Sequence, residues 1–192
     1  MVELSKLAPN PFRNFRVDPL DEANIGQLMD SISEYSFWGG VTCRKLKDGT
    51  YQIAAGHHRI EAAKRLGITD ADIYVGKFDD EQMIRIYAVE NATQRGNTST
   101  AMGGSVASAI RYIAKDLLVF GLNSQFWEPS ERDQNQPDPS NLGEPIITTF
   151  LHDVPGINKS TVTSALKQIK ASGEYAAIIA EVQAELDRDG HA

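Results

Sequence analysis

An α/β unit followed by an all-helical C-terminal region is the fold class that this sequence predicts, and three observations predict it. A short apolar strand pattern, Tyr51 to Ala55, runs straight into Gly56 and then into helical spacing. Strand-like and helix-like stretches alternate through the first half of the chain. Beyond residue 99 the patterned stretches carry apolar residues at helical spacing only. The 192 residues are enough for one good core, or for a core with a small second module.

Taken in order, residues 21–35 put Ile25, Leu28, Met29 and Ile32 on one face, which reads as a helix packed on a sheet. Residues 41–46 and 51–55 are strand-like, and Lys47, Asp48 and Gly49 between them signal the turn of a hairpin. The helix after Gly56 should bury Ile60, Ala63 and Leu66, with Gly67 placed as its C-terminal cap. Residues 71–78 supply one further strand, and Asp79 with Gln82 has the spacing of a capping box that opens the helix reaching residues 90–95. Residues 99–121 read as a helix with an apolar face of Val106, Ile110, Ile113, Leu117 and Leu118, stopped by Gly121; Gly103 and Gly104 weaken only its first turn.

Residues 122–145 are rich in Pro, Asn, Ser and acidic side chains and read as a linker or long surface loop, anchored by Phe126 and Trp127. Within residues 146–192, two short helices are joined by a turn containing Pro155 and Gly156. Ile147, Phe150 and Leu151 are expected to face Val162, Leu166 and Ile169 of the second helix, which starts near Asn158 or Ser160. A last helix from Glu174 carries Tyr175, Ile178, Ile179, Val182 and Leu186, either as a third packing helix or as a dimer surface.

Composition narrows the function. Hydrophobic content of 41% with 23% charged residues is that of a soluble globular protein, with no apolar run of membrane-spanning length and no signal-peptide core at the start. A cytoplasmic location and no membrane partner are expected. The net charge of −7 argues against coating nucleic acid by bulk electrostatics, so any DNA contact must use a confined basic face. The single cysteine, Cys43, excludes an internal disulfide and a cysteine-rich zinc site, and the four histidines lack zinc spacing.

Two stretches carry chemistry. At the first, Gly56, His57, His58 and Arg59 open a helix directly after a strand. A glycine there lets a ligand approach the backbone, helix-start N–H groups favour anions, and the Arg59 fork suits phosphate; an ordinary αβ turn with solvated His and Arg is the other reading. At the second, the helix near residue 160 would expose Lys159, Ser160, Thr161, Thr163, Ser164, Lys167 and Lys170, short polar and basic side chains that suit phosphates and base edges of a DNA major groove. A plain helical hairpin with a solvated lysine face has the same spacing.

The order of motifs adds a resemblance. Asn10-Pro11-Phe12-Arg13, an amphipathic helix, a strand, Tyr51 to Gly67 (YQIAAGHHRIEAAKRLG), another strand and then Glu90 to Arg95 (ENATQR) resembles the N-terminal domain of the ParB/sulfiredoxin superfamily, in its ParB-like branch. The resemblance covers roughly the first half of the chain. It implies a ParB/sulfiredoxin-like mixed sheet with helices over residues 1–98, to which the residue pattern adds a connecting helix over 99–121, the acidic linker over 122–145 and a helix-turn-helix-like region over 146–192. It also implies a DNA-binding protein of partition or transcription-regulator type, with a homodimer as one further partner state. A nucleotide, CTP or another, would be held by Gly56, His57, His58, Arg59, Gln94 and Arg95, and Mg2+ by Glu90 and Asn91. Nucleotide binding is the expectation. Hydrolysis of the CTPase kind, phosphotransfer and nuclease activity are the catalytic alternatives.

The chain departs from the superfamily's patterns in instructive ways. CTP-binding ParB proteins typically read G-E-R-R where this chain has Gly56-His57-His58-Arg59, so an acidic residue and one arginine are replaced. Sulfiredoxins read G-C-H-R and need a catalytic cysteine where His57 stands, which sets their chemistry aside. Some phosphotransferases read G-H-H-R after an aspartate, and here the preceding residue is Ala55. Compared with the common E-N-x-Q-R form, one extra residue separates Asn91 from Gln94, a displacement of roughly 100° about a helix axis.

Overall fold

Asp48 closes the first hairpin by accepting hydrogen bonds from the Thr50 N–H at 2.9 Å and the Thr50 hydroxyl at 2.7 Å, while Gly49 takes the left-handed φ of 87° that the turn requires. The turn sets β3 (Thr42–Lys45) antiparallel to β4 (Tyr51–Ala55), with Cys43 opposite Ile53. The structure is a computed structural model that describes residues 1–94, 96, 98–119, 147, 148, 150, 151, 153, 154 and 156–189. It divides into two units, Met1–Glu90 and Asn91–Ala192.

In the first unit the hairpin is the centre of a mixed four-stranded sheet. On one side β2 (Leu7–Ala8) pairs parallel with β4, and on the other β6 (Tyr74–Gly76) pairs parallel with β3. A separate two-stranded ladder joins β1 (Val2–Glu3) antiparallel to β5 (Asp70–Ala71). The mixed sheet is the one expected, with two differences. β1 and β2 are two residues each, too short for an alternating pattern to be visible in sequence. The single strand expected over 71–78 is instead two pieces in two different sheets. Ala71 and Ile73 are both buried and so mimic one period-two strand, but β5 finds its ladder partner in β1 and β6 finds its own in β3.

The helices cover this sheet as their spacing predicts. Asp21 caps α1 (Glu22–Tyr35), its side chain accepting from the N–H of Ala23 at 2.9 Å; Ile25 and Ile32 are buried, and Leu28 and Met29 pack half-buried against the core. α2 (His57–Arg65) packs on α1 and buries Ile60, Ala62 and Ala63, with Leu66 half-buried beside them. Gly67 ends it at φ 74°, its N–H bonded to the Lys64 carbonyl at 3.0 Å. α3 (Asp80–Gln94) begins with the expected reciprocal cap: the Gln82 N–H donates to Asp79 Oδ1 at 2.8 Å, and the Asp79 N–H to Gln82 Oε1 at 3.0 Å.

The second unit is helical. α4 (Ser99–Val119) packs against α5 (Lys159–Ala171) and α6 (Glu174–Arg188). Val106, Ile110 and Ile113 are buried as expected, but burial is wider than one face: Ser105, Ala107, Ser108 and Ala109 are buried too, because side chains this small let neighbours approach from several directions. The side chains of Leu117 and Leu118, Gly121 and the whole stretch 122–145 with Phe126 and Trp127 lie outside the described residues. Before α5, residues 147, 148, 150 and 151 are helical; Ile147 and Leu151 are buried, and Phe150 is half-buried with its ring 5.8 Å from that of Tyr112. A turn with Gly156 at φ 83° leads to Asn158, which caps α5 by accepting from the Ser160 N–H at 3.0 Å; Val162, Leu166 and Ile169 are buried. α6 turns Tyr175, Ile178, Val182 and Leu186 inward, and Arg111 of α4 reaches Glu185 at 2.5 Å, so its apolar face packs within the chain. Among the described residues no helix is long and apolar enough to cross a membrane.

Candidate functional site

β4 runs into Gly56, the residue preceding α2, which adopts φ 95° and ψ 26°. Only glycine fits, because a Cβ there would stand 2.8 Å from Val41 Cγ2 and 2.9 Å from the Gly40 carbonyl oxygen. The Gly56 N–H donates to Glu90 Oε1 at 2.8 Å, so α3 delivers a carboxylate to the start of α2 across 34 residues of sequence. A negative group is favoured there by the positive end of the helix macrodipole.

The two histidines face backbone donors. His57 is 5% exposed, and its Nε2 accepts the Asn10 N–H at 3.0 Å, which places the ring proton on Nδ1. Nδ1 is buried with no hydrogen-bond partner among the described residues. Burial, and after it the charges of Arg13 and His58, push the His57 pKa down to about 3. The ring is therefore neutral near pH 7 and brings no positive charge to an anion. His58 is half-exposed, and its Nε2 accepts the N–H of Asp21, the cap of α1, at 3.0 Å.

Asn10 and Arg13, quoted above only as marks of a resemblance, organise the buried polar ground beneath His57. The Asn10 side chain accepts the Phe12 N–H at 3.0 Å and donates to the Met83 carbonyl at 3.4 Å. Arg13 forms an ion pair with Asp18 at 3.1 Å with both side chains almost fully buried, and also donates to the Asp18 carbonyl oxygen at 3.0 Å and 3.2 Å. The Tyr87 hydroxyl donates to the same Asp18 carboxylate. Phe15 and Tyr87 flank both the Arg13 guanidinium and the His57 ring. Asp18 and Tyr87 carry no local sequence signal for this role, since the loop and the helix that supply them meet only in the fold.

Arg59 lies at the rim of the turn. Its Nη1 donates to the Gly40 carbonyl at 2.9 Å, and its guanidinium sits 5.0 Å from the centre of the Trp38 ring. Gly40 makes this possible, for a Cβ there would overlap Arg59 Nη1 at 1.7 Å. Trp38 and Gly40 were not singled out by sequence reasoning, although the run Trp38-Gly39-Gly40 was there to be read.

Glu90 and Asn91 point to different places, as adjacent residues on a helix must. Asn91 is 5% exposed and donates to Ser105 Oγ at 3.0 Å. Glu90 thus meets Gly56, and Arg59 meets the Gly40 carbonyl that lies against Gly56, whereas His57, His58 and Asn91 are engaged elsewhere; the Gln94 side chain and Arg95 lie outside the described residues. Among the described residues no group of three or more His, Cys, Asp and Glu side chains converges as a metal cage would.

On α5, Lys159, Ser160, Ser164 and Lys167 are exposed and Thr161, Thr163 and Lys170 half-buried. Ser160 Oγ donates to Asn158 Oδ1 at 2.8 Å and so serves the cap, and Thr163 Oγ1 donates back to the Lys159 carbonyl at 3.0 Å. The Lys170 ammonium lies 5.3 Å from the Tyr175 ring centre.

Residues 1–92 match the family model of the ParB N-terminal domain. A probable chromosome-partitioning protein ParB of Campylobacter jejuni is 30% identical over 100 residues, which cover 50% of this chain and 34% of that protein. The chromosome-partitioning protein ParB of Caulobacter vibrioides is 33% identical over 93 residues, 47% of this chain and 29% of that protein. This chain spans only about a third of the length of these curated relatives. A solved structure of a C-terminally truncated chromosome-partitioning protein ParB from Caulobacter crescentus, complexed with CTP-gamma-S, is similar at 20% identity with a TM-score of 0.44, over 95% of this chain and 90% of that one.

Proposed function

We propose, from the premise that residues 1–92 are a ParB N-terminal domain, that this chain is a DNA-binding protein of the partition or transcription-regulator type whose first unit binds a nucleotide, with CTP the first candidate. The observation that carries the nucleotide reading is the Gly56 N–H, held at a helix start and already bonded to an anionic oxygen of Glu90 at 2.8 Å. A phosphate oxygen has the same charge and acceptor geometry and can take that place, with Arg59 at the rim to pair with it. The Glu90 carboxylate would then serve a Mg2+ ion, which needs one or two protein oxygens when phosphates and water supply the rest. Mg2+ would neutralise phosphate charge beside that carboxylate. His57 and His58 support the site by holding the loops around it.

A thermal-shift panel of CTP, ATP and GTP, with and without Mg2+, tests this reading. A nucleotide at a hundred times its Kd should stabilise the protein by about 2.7 kcal/mol. Arg59→Ala should weaken nucleotide binding by about 1.5–3 kcal/mol, the worth of a charged hydrogen bond, and Glu90→Gln should weaken Mg2+-dependent binding more than Mg2+-independent binding. No shift with any nucleotide would remove the reading.

DNA contact is assigned to the exposed face of α5, where Lys159 and Lys167 stand clear of the packed side with Thr161 and Ser164 near the helix start. With a chain charge of −7, such a local face must supply the attraction. Replacing Lys159 and Lys167 together in the full chain should lower the slope of log K against log salt on duplex DNA by about 1.8, as each phosphate contact contributes about 0.9. Fluorescence anisotropy across a salt series gives that slope, and an unchanged value would take α5 out of the interface.

A further inference from the structure

Between α1 and β3 the loop takes three left-handed residues, Ser36 at φ 66°, Gly39 at φ 100° and Gly40 at φ 73°. The loop holds Trp38 outward, and the residue is 66% exposed, so a large apolar side chain forgoes burial in the core. The ring is nonetheless held: the Arg59 guanidinium covers one face at 5.0 Å, and Arg59 is itself pinned by its hydrogen bond to the Gly40 carbonyl. The loop is open beside it, since a Cβ on the neighbouring Gly39 would meet nothing within 4 Å. The same Gly40 carbonyl abuts Gly56, so the exposed ring stands two residues from the backbone that touches the anion-binding turn.

We propose that the outer face of Trp38 is the platform on which the base of the bound nucleotide stacks. This rests on the nucleotide reading above and adds a residue to it: an anion cradle at Gly56 and a fixed aromatic face at Trp38 together match a ligand that is anionic at one end and aromatic at the other. Arg59 links the two ends, ordering the indole by a cation–π contact while donating to the Gly40 carbonyl beside the turn. Stacking accepts any base, because every base has a π face, so Trp38 supplies affinity rather than base identity.

The chain has two tryptophans, Trp38 and Trp127, so a Trp127→Phe background leaves Trp38 as the sole indole reporter. In that background CTP should quench Trp38 fluorescence and inorganic tripolyphosphate should not. By calorimetry on the full chain, Trp38→Ala should lose roughly 5- to 150-fold in CTP affinity while keeping its tripolyphosphate affinity within about twofold, and Trp38→Phe should recover much of the loss. Equal CTP affinity in wild type and Trp38→Ala would overturn the platform and leave the nucleotide reading standing. An equal loss for CTP and tripolyphosphate would also overturn it, since Trp38 would then act only by positioning Arg59. Absence of CTP binding to the wild-type chain would overturn both.

Discussion

Replacing Arg13 by alanine is expected to destabilise the first unit by about 3–5 kcal/mol, the cost of leaving a buried carboxylate without its cation. The Arg13 and Asp18 side chains are 3% and 4% exposed, so water cannot take over the role of the missing partner. Asp18 would retain the Tyr87 hydroxyl, but one neutral donor does not compensate a buried charge. The loss is large against the 5–15 kcal/mol that typically holds a domain. Urea unfolding followed by circular dichroism measures it. The double variant Arg13→Ala with Asp18→Ala should recover part of the loss, because it removes both charges; a double variant as unstable as the sum of the singles would show that the two do not act as a pair.

Gly56→Ala should cost about 2–4 kcal/mol, the sum of a left-handed backbone penalty of about 1–2 kcal/mol and the strain of a methyl group forced into a closed space. The added Cβ meets Val41, itself buried, at 2.8 Å and backbone at 2.9 Å, and neither is the movable end of a long side chain. Gly67→Ala provides the comparison: its φ of 74° is also left-handed, but its Cβ would meet nothing within 4 Å, so only the backbone penalty applies. Thermal unfolding of the two variants separates close approach from conformation. Equal losses would mean that the strand ends can part at no cost.

What was legible in the sequence is what short-range chemistry decides. The reciprocal cap of Asp79 and Gln82, the Asp48-Gly49 turn and the apolar stripes of α1, α2 and α6 all depend on residues within a few positions of one another, and all form as their spacing predicts. The division of 71–78 into β5 and β6 was not legible, because the partners of those strands lie in β1 and β3, far away in sequence. The motif Gly56-His57-His58-Arg59 named the residue types present at the turn, but not where each one faces. Hydrogen bonds from the backbone of Asn10 and Asp21, 47 and 37 residues away, decide that both histidine Nε2 atoms accept from the protein itself, and burial decides that His57 is neutral.

By itself, then, the sequence determined the types of the longer elements, the α/β-then-helical order and the glycine at which a strand meets a helix, since each follows from local propensity and periodicity. Only the tertiary structure decided that Glu90 lies on the Gly56 N–H, that Arg59 bridges Gly40 and Trp38, and that Arg13, Asp18 and Tyr87 form one buried network. Those contacts join segments brought together when the core closes, and the direction of a polar side chain is set by whichever buried donor or acceptor it must satisfy there.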